Sequence, residues 1–295
     1  MSVDVMERTD RNIVKKAVFK RPDDANKGTL GSLLSICGSY GMAGASIMAG
    51  KAALKCGIGL LKCALPRSIY PISAQCILES VYFPLEETGD GRISKRNIPF
   101  LISEAESSSA VLIGCGLGVC EDTEKIVFSL IENCSKPMVL DADALNCIAK
   151  YPDILLKKKA PIIITPHPGE MARLTGLIVQ LINSERERVA SDFARKYDTI
   201  TVLKGAGTVV ALPNGKTFLN TTGNSGMATG GSGDVLAGMT ASILAQGAYA
   251  SDAAAAAVYL HGLSGDIASD KFGKISMLPT DIIDCIHLAY KKCIV

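Results

Sequence analysis

The chain has no tryptophan and three histidines, and aromatic side chains make up only 5% of its 295 residues. Its core must therefore rest on Leu, Ile, Val, Ala and Met. His167, His261 and His287 are too few and too scattered for a histidine-based metal site. Net charge is also scarce: +2 at neutral pH, too little to argue for nucleic acid or an acidic membrane surface as a partner. There is no CxxC pair and no Cys/His set at zinc spacing, although there are ten cysteines. Several of these, such as Cys37, Cys63 and Cys147, sit inside apolar runs and read as free buried thiols, which suits a reducing cytoplasm. No apolar run in 1–27 has signal-peptide length, and none elsewhere approaches a membrane span. The longest, around 253–260, is alanine-rich and flanked by Asp252 and His261. It reads as a buried helix, in the core or at an interface. No GxSxG elbow is present, and nothing suggests a Ser-His-Asp hydrolase.

What the chain does have is glycine, 28 residues, much of it clustered. Between the clusters, apolar runs predict strands over 33–37, 60–65, 110–113, 137–140, 161–165 and 199–203. Several are apolar throughout, as strands covered on both faces are. Helical patterns follow over 43–56, 121–134, 142–150, 169–175 and 184–196, and the alternation predicts a layered α/β fold. Beyond residue 205 the runs 207–212 and 216–220, joined by Pro213-Asn214-Gly215, predict a hairpin. Helices over 235–246, 252–269 and 278–292 close the chain. With no internal repeat or linker, the expectation is one domain over 1–295, with 1–26 a polar leader. Lys157-Lys158-Lys159 reads as a solvated loop.

The glycine and polar clusters follow predicted strands, so they converge at the carboxyl edge of a parallel sheet, where ligands bind. The strongest is Thr229-Gly230-Gly231-Ser232-Gly233-Asp234 before the helix over 235–246. Glycines there let an anion approach the free N–H groups and positive dipole end of the helix. A carboxylate at Asp234, beside a bound phosphate, could take the proton of a substrate hydroxyl. As a mere helix cap it would not need the three glycines. Lys204-Gly205-Ala206-Gly207-Thr208 is a turn that could hold phosphates or be a plain β-turn, and it lacks the Walker order. In Thr165-Pro166-His167-Pro168-Gly169-Glu170, two prolines fix the backbone around His167, which contacts a ligand or braces a turn. Glu170 fits a helix first turn. Gly114-Cys115-Gly116-Leu117-Gly118 lacks dinucleotide spacing, and Cys115 reads as a small filler. Gly38-Ser39-Tyr40-Gly41-Met42-Ala43-Gly44 could admit a flat ligand or be a simple turn. Asp141 and Asp143 could hold Mg²⁺ directly or through water, or serve as an N-cap and a first-turn acid.

Taken in order, Lys27-Gly28-Thr29, Gly38-Ser39 to Gly44-Ala45, Ile113 to Gly118, Leu140-Asp141-Ala142-Asp143-Ala144-Leu145, Thr165 to Glu170, Val202-Leu203-Lys204-Gly205 and Asn224 to Leu236 form one set. This set resembles the ADP/ATP-dependent NAD(P)H-hydrate dehydratases of the ribokinase-like superfamily, from about Lys27 to the C-terminus. Cys115 stands where Pro is more usual in that family. The resemblance implies a ribokinase-like layered α/β/α fold with a central, mostly parallel sheet. It implies a hydro-lyase that removes water from the S form of hydrated NADH or NADPH and regenerates the cofactor, a metabolite repair reaction. The nucleotide phosphate consumed would be ADP, giving AMP and phosphate, as in stand-alone bacterial members; ATP is usual in eukaryotic ones. Carried over by position, Ala43, Gly116, His167 and Asp234 would contact the hydrate. Lys204, Gly205, Ala206, Gly207, Thr208 and Gly233 would contact the nucleotide. Asp234 would be the catalytic base, with Mg²⁺ helping to stabilise transferred charge and no protein metal ligand assigned. A leader of about 25 residues is too short for the epimerase domain of some relatives, so epimerase activity is not expected. The partners implied are small molecules, not nucleic acid or membrane, and a homo-oligomer, often a tetramer in the family. The rival readings are a ribokinase-like vitamin-precursor kinase and a non-catalytic nucleotide-binding protein.

Overall fold

The computed structural model describes residues 6–18 and 21–294. Its first half runs β1 (Glu7–Arg8), α1 (Arg11–Ala17), β2 (Ser32–Ile36), α2 (Ala43–Lys55), β3 (Leu60–Pro66), α3 (Tyr70–Cys76), β4 (Val81–Leu85), α4 (Ile98–Glu106), β5 (Ala110–Ile113) and α5 (Glu121–Asn133). There follow β6 (Met138–Leu140), α6 (Asp143–Ile148), β7 (Ile162–Ile164), α7 (Pro168–Thr175), α8 (Val179–Ser184), α9 (Arg186–Tyr197) and β8 (Ile200–Leu203). The hairpin β9 (Val209–Ala211) and β10 (Thr217–Leu219) leads to α10 (Ser232–Ala245), α11 (Ala250–Phe272) and α12 (Pro279–Ile294).

The strands form one sheet in the order β1-β10-β9-β8-β7-β6-β5-β2-β3-β4. From β8 to β4 every pairing is parallel, and β9 runs antiparallel to both of its neighbours. Side chains alternate between the two faces of a strand, and here they feed two cores. Leu33, Leu112, Val139, Ile163 and Val202 pack under α2, α10, α11 and α12. Leu34, Val111, Met138, Ile162 and Leu203 pack against α4, α5, α6, α7 and α9. This is the layered α/β fold that the alternation predicts, in the α/β/α form that the resemblance implies.

Register sets up the site. Ile36, Ile113, Leu140, Ile164 and Thr201 lie side by side across five parallel strands. The residues just beyond them, including Cys37, Gly114, Asp141 and Thr165, therefore emerge in one row at the carboxyl edge. Above that row α10 crosses α2 closely. A Cβ at Gly238 would lie 2.1 Å from the Ala49 carbonyl oxygen, so no side chain fits there. Gly238→Ala must push the two helices apart, an overpacking cost of about 1–3 kcal/mol. We expect thermal unfolding to shift down by roughly 2–4 °C per kcal/mol; an unshifted melt would contradict this packing.

Several segments differ from the sequence reading. Within the polar leader, β1 pairs with β10 and α1 buries Val14 and Ala17 against the closing helices. Their apolar content is too small to stand out in a charged stretch. β4, α3, α4 and α8 are short, weakly patterned elements that periodicity does not single out. In the lysine trio, Lys158 is buried to 10% side-chain exposure and pairs with Asp198 at 3.0 Å, while Lys157 is exposed as expected. The alanine-rich stretch around 253–260 is core of this chain, since Ala253 to Ala257 and Leu260 are all at most 1% exposed.

Candidate active site

α10 begins on Gly231, whose φ of +102° is left-handed and open to glycine at little cost. A Cβ there would also strike the Met48 side chain. This sharp entry turns the free N–H groups of the first α10 turn toward the end of the sheet and puts Asp234 in that turn. Beneath it lies the Lys204 ammonium. A Cβ on Gly233 would sit 3.4 Å from Lys204 Nζ and 3.9 Å from Asp141 Oδ2.

Asp141 follows β6 and is 1% exposed. Its Oδ1 accepts from Lys204 Nζ at 2.6 Å and from Thr165 Oγ1 at 2.7 Å. Glu170, also buried, lies 3.8 Å from the same ammonium. Burial alone would lower the Lys204 pKa, but the charges of Asp141 and Glu170 outweigh it and hold Lys204 above its usual range. Burial raises Glu170. For Asp234, burial is the largest effect and the Asp141 charge the next. They prevail over a hydrogen bond from Cys115 and the Lys204 charge, and push its pKa up to about 7. That value suits a base working near neutral pH.

The sequence alternatives for the acidic pair resolve separately. Asp141 is not the N-cap of α6, which is Ala142, and its Oδ1 is taken by Lys204 and Thr165. Asp143 is a first-turn acid of α6, and its Oδ2 accepts from the Gly118 N–H at 2.8 Å. Among the described residues, one group of three offers metal-binding atoms within 4.8 Å of one another: Cys115, Asp141 and Asp234. A buried thiol and a lysine-paired carboxylate make a poor cage for Mg²⁺, which wants octahedral oxygen ligands. Among the described residues, then, no dedicated oxygen cage for Mg²⁺ is formed.

His167 caps α7. Its Nδ1 accepts from the N–H groups of Gly169 at 2.9 Å and Glu170 at 3.3 Å, and Glu170 returns the bond by accepting from the His167 N–H at 2.7 Å. His167 braces the turn, yet its ring is half exposed. With Nδ1 accepting twice, the neutral ring carries its proton on Nε2, which lies 3.5 Å from Glu170 Oε1. Burial and the nearby Lys204 charge lower its pKa, which keeps that neutral form.

The turn after β2 meets the turn after β5. A Cβ on Gly116 would come within 2.8 Å of Ala45 Cβ and 3.0 Å of Met42 Cβ, and Ser39 Oγ donates to the Gly116 carbonyl at 2.9 Å. Ala43, the first residue of α2, and Gly116 are therefore brought to one wall. In the 204–208 turn the Gly205 N–H and the Thr208 hydroxyl close on each other, and Arg186 braces the turn by donating to the Leu203 carbonyl at 2.7 Å. A cleft of about 470 Å³ opens beside it, walled by Met6, Arg186, Glu187, Ala206, Gly207 and Leu219.

For four residues here the sequence does not show the contacts that the fold makes. Thr165 and Glu170 were visible only as parts of a turn, and Asp141 only as half of a pair. His261 on α11, its Nε2 3.4 Å from Ser232 Oγ, carried no signal at all. Burial brings its pKa down to about 4, so it is neutral.

A family model, Carb_kinase, described as NAD(P)H-hydrate dehydratase, matches residues 33–288. The ADP-dependent (S)-NAD(P)H-hydrate dehydratase of Bacillus subtilis is 32% identical over 95% of this chain and 96% of that one. A bifunctional NAD(P)H-hydrate repair enzyme of Moorella thermoacetica is 40% identical over 90% of this chain, and the match spans half of that relative's length. Among solved structures, the ADP/ATP-dependent NAD(P)H-hydrate dehydratase from Bacillus subtilis, co-crystallised with ATP and Mg²⁺, superposes with a TM-score of 0.84 at 31% identity, covering 99% of this chain and 100% of the other. The layered fold is shared with a solved ribokinase-like protein.

Proposed function

Because the chain belongs to the NAD(P)H-hydrate dehydratase family, we infer that it uses a nucleotide phosphate to dehydrate the S form of hydrated NADH or NADPH. The observation that carries this reading is a single carboxylate, Asp234, poised near neutral pH at a glycine-rich helix start with an ammonium beneath it. Hydroxide leaves a ring carbon poorly, whereas phosphate leaves well. Asp234 takes the proton of the hydrate's hydroxyl as its oxygen attacks the terminal phosphorus of the nucleotide. The bond from that phosphorus to the bridging oxygen breaks, and the shortened nucleotide departs. The α10 N–H groups and Lys204 stabilise the charge on the transferred group. The ring nitrogen's electron pair then expels phosphate, and loss of a proton from the neighbouring carbon restores the reduced ring.

The hydrate lies against Ala43, Gly116 and the Nε2–H of His167. The nucleotide lies along Lys204 to Thr208 and Gly233, with the cleft beside Ala206 and Gly207 open to its remainder. Mg²⁺ would be held by the nucleotide's phosphates and would supply charge neutralisation there. The donor we propose is ADP, giving AMP and phosphate, in keeping with the name of the Bacillus subtilis relative. No described helix is long and apolar enough to cross a membrane. The ten cysteines are free thiols, which supports a reducing, cytoplasmic setting. A homo-oligomer, with the tetramer as the form to test by light scattering, is carried by the family resemblance alone.

The test mixes purified protein, Mg²⁺, hydrated NADH and either ADP or ATP, and follows reduced-nicotinamide absorbance. Recovery is expected only with nucleotide, and faster with ADP. Failure with both, while a vitamin-precursor alcohol is phosphorylated, would make the protein a small-molecule kinase instead.

A further inference from the structure

Asp141 has no part in the steps above, yet the fold goes to unusual lengths to place it. The residue after it, Ala142, is a non-glycine at φ +49° and ψ −114°, a sparsely populated region whose strain is retained where the surroundings demand it. Across from it the chain is closed in: a Cβ on Gly114 would lie 1.9 Å from the Asp141 carbonyl oxygen. The carboxylate so placed is 1% exposed, and burying a charge is costly unless it is paired. Its two oxygens face different neighbours. Oδ1 takes Lys204 Nζ and Thr165 Oγ1. Oδ2 looks toward Cys115 Sγ, 3.9 Å away, in the cluster that also contains an Asp234 oxygen.

We propose that Asp141 is a positioning residue for phosphoryl transfer: through Oδ1 it fixes the Lys204 ammonium beneath the start of α10, and through Oδ2 it sets a second carboxylate beside that of Asp234. The proposal rests on the reading of Asp234 as the base. The charged and titratable groups around Asp234 come from several elements. They are Cys115 after β5, Asp141 after β6, Asp143 on α6 and Lys204 after β8, with His261 of α11 reaching Ser232 one turn away. Asp141 and Asp143 favour proton uptake by Asp234, while Cys115 and Lys204 oppose it, and of these charges Asp141 acts most strongly. Neutral His261 adds no charge. An active site that merely needed Lys204 neutralised could have used Glu170 alone, which already lies 3.8 Å away.

Asp141→Asn keeps the size and the Thr165 bond while removing the charge. In the full chain, the ¹³C-carboxyl titration of Asp234, assigned by its loss in Asp234→Asn, is expected to move its midpoint down by about one pH unit, the scale on which neighbouring sites couple. The acid limb of kcat/KM should move with it, and plateau kcat should fall roughly tenfold as the base weakens. A purely structural role would lower activity without moving either midpoint, and an unmoved midpoint in a natively folded Asp141→Asn overturns the proposal. If that variant does not fold, Asp141→Asn/Lys204→Gln removes both charges together and is titrated instead. A midpoint that falls supports the proposal, and one unchanged or raised overturns it. The titration needs no turnover, so it is independent of the hydrate reading, which fails separately if Asp234→Asn stays active.

Discussion

Asp234→Asn is expected to cut nucleotide-dependent recovery of NADH by about 10²–10⁴-fold, the usual worth of a positioned general base, while nucleotide affinity changes by less than about threefold. The asymmetry follows from where the groups sit. In the proposed arrangement phosphate is held by the α10 N–H groups and Lys204, none of which the substitution removes. In that arrangement proton removal from the hydroxyl falls to Asp234, since Asp141 is ion-paired to Lys204 through Oδ1. Steady-state kinetics beside calorimetric nucleotide titration separates the two effects. The pH profile of the unaltered enzyme adds a sharper demand. The base form of Asp234 is required and its pKa is about 7, so kcat/KM should climb tenfold per pH unit below that value and level off above it. Stability should run the other way. A carboxyl whose folded pKa is raised from 3.8 to about 7 binds its proton more tightly when folded, so its contribution is fully present below about pH 4 and is lost as pH rises through 7. Asp234→Asn should therefore melt roughly 2–4 °C higher than the parent at pH 8 and show no such gain at pH 4. Full activity in this variant would remove Asp234 from the chemistry.

The strands of the central sheet were legible because they are apolar throughout, and the glycine clusters because backbone approach and helix entry leave few residue choices. Gly231, Gly116 and Gly205 do sit at left-handed φ, where a side chain would be strained. Partnership across the sheet was another matter. Nothing in a sequence says that Asp141 and Lys204, separated by 63 positions, share a hydrogen bond. That pairing follows from strand order and register, which place the ends of β6, β7 and β8 side by side. The acidic pair therefore read as a unit, Asp141 with Asp143, when the two carboxylates in fact point to different tasks. His167 shows the same limit in a milder form. Its two prolines marked a rigid turn, but the capping bonds that fix its tautomer appear only once α7 is in place.

Lys204→Met should be the most damaging single change at the site, in stability as well as in catalysis. The ammonium is the only cation within salt-bridge reach of either Asp141 or Glu170 among the described lysine and arginine residues, and both carboxylates are nearly inaccessible. Removing one partner of a buried pair leaves uncompensated charge and costs about 3–5 kcal/mol, to be read from urea unfolding at pH 8. The deficit should narrow as pH falls, since Glu170, whose pKa is raised by burial, no longer needs the cation once it takes up a proton. Nucleotide binding should weaken roughly 10–100-fold, the worth of a charged hydrogen bond to phosphate. Adding Asp141→Asn to Lys204→Met separates the two roles. The double variant loses one orphaned charge and should regain part of the stability, yet it still lacks the phosphate's ammonium and should regain none of the nucleotide affinity. If affinity returned along with stability, the lysine's part in binding would be indirect, exerted through the folded shape of the sheet edge, and the N–H groups of α10 would be left as the phosphate's principal hold.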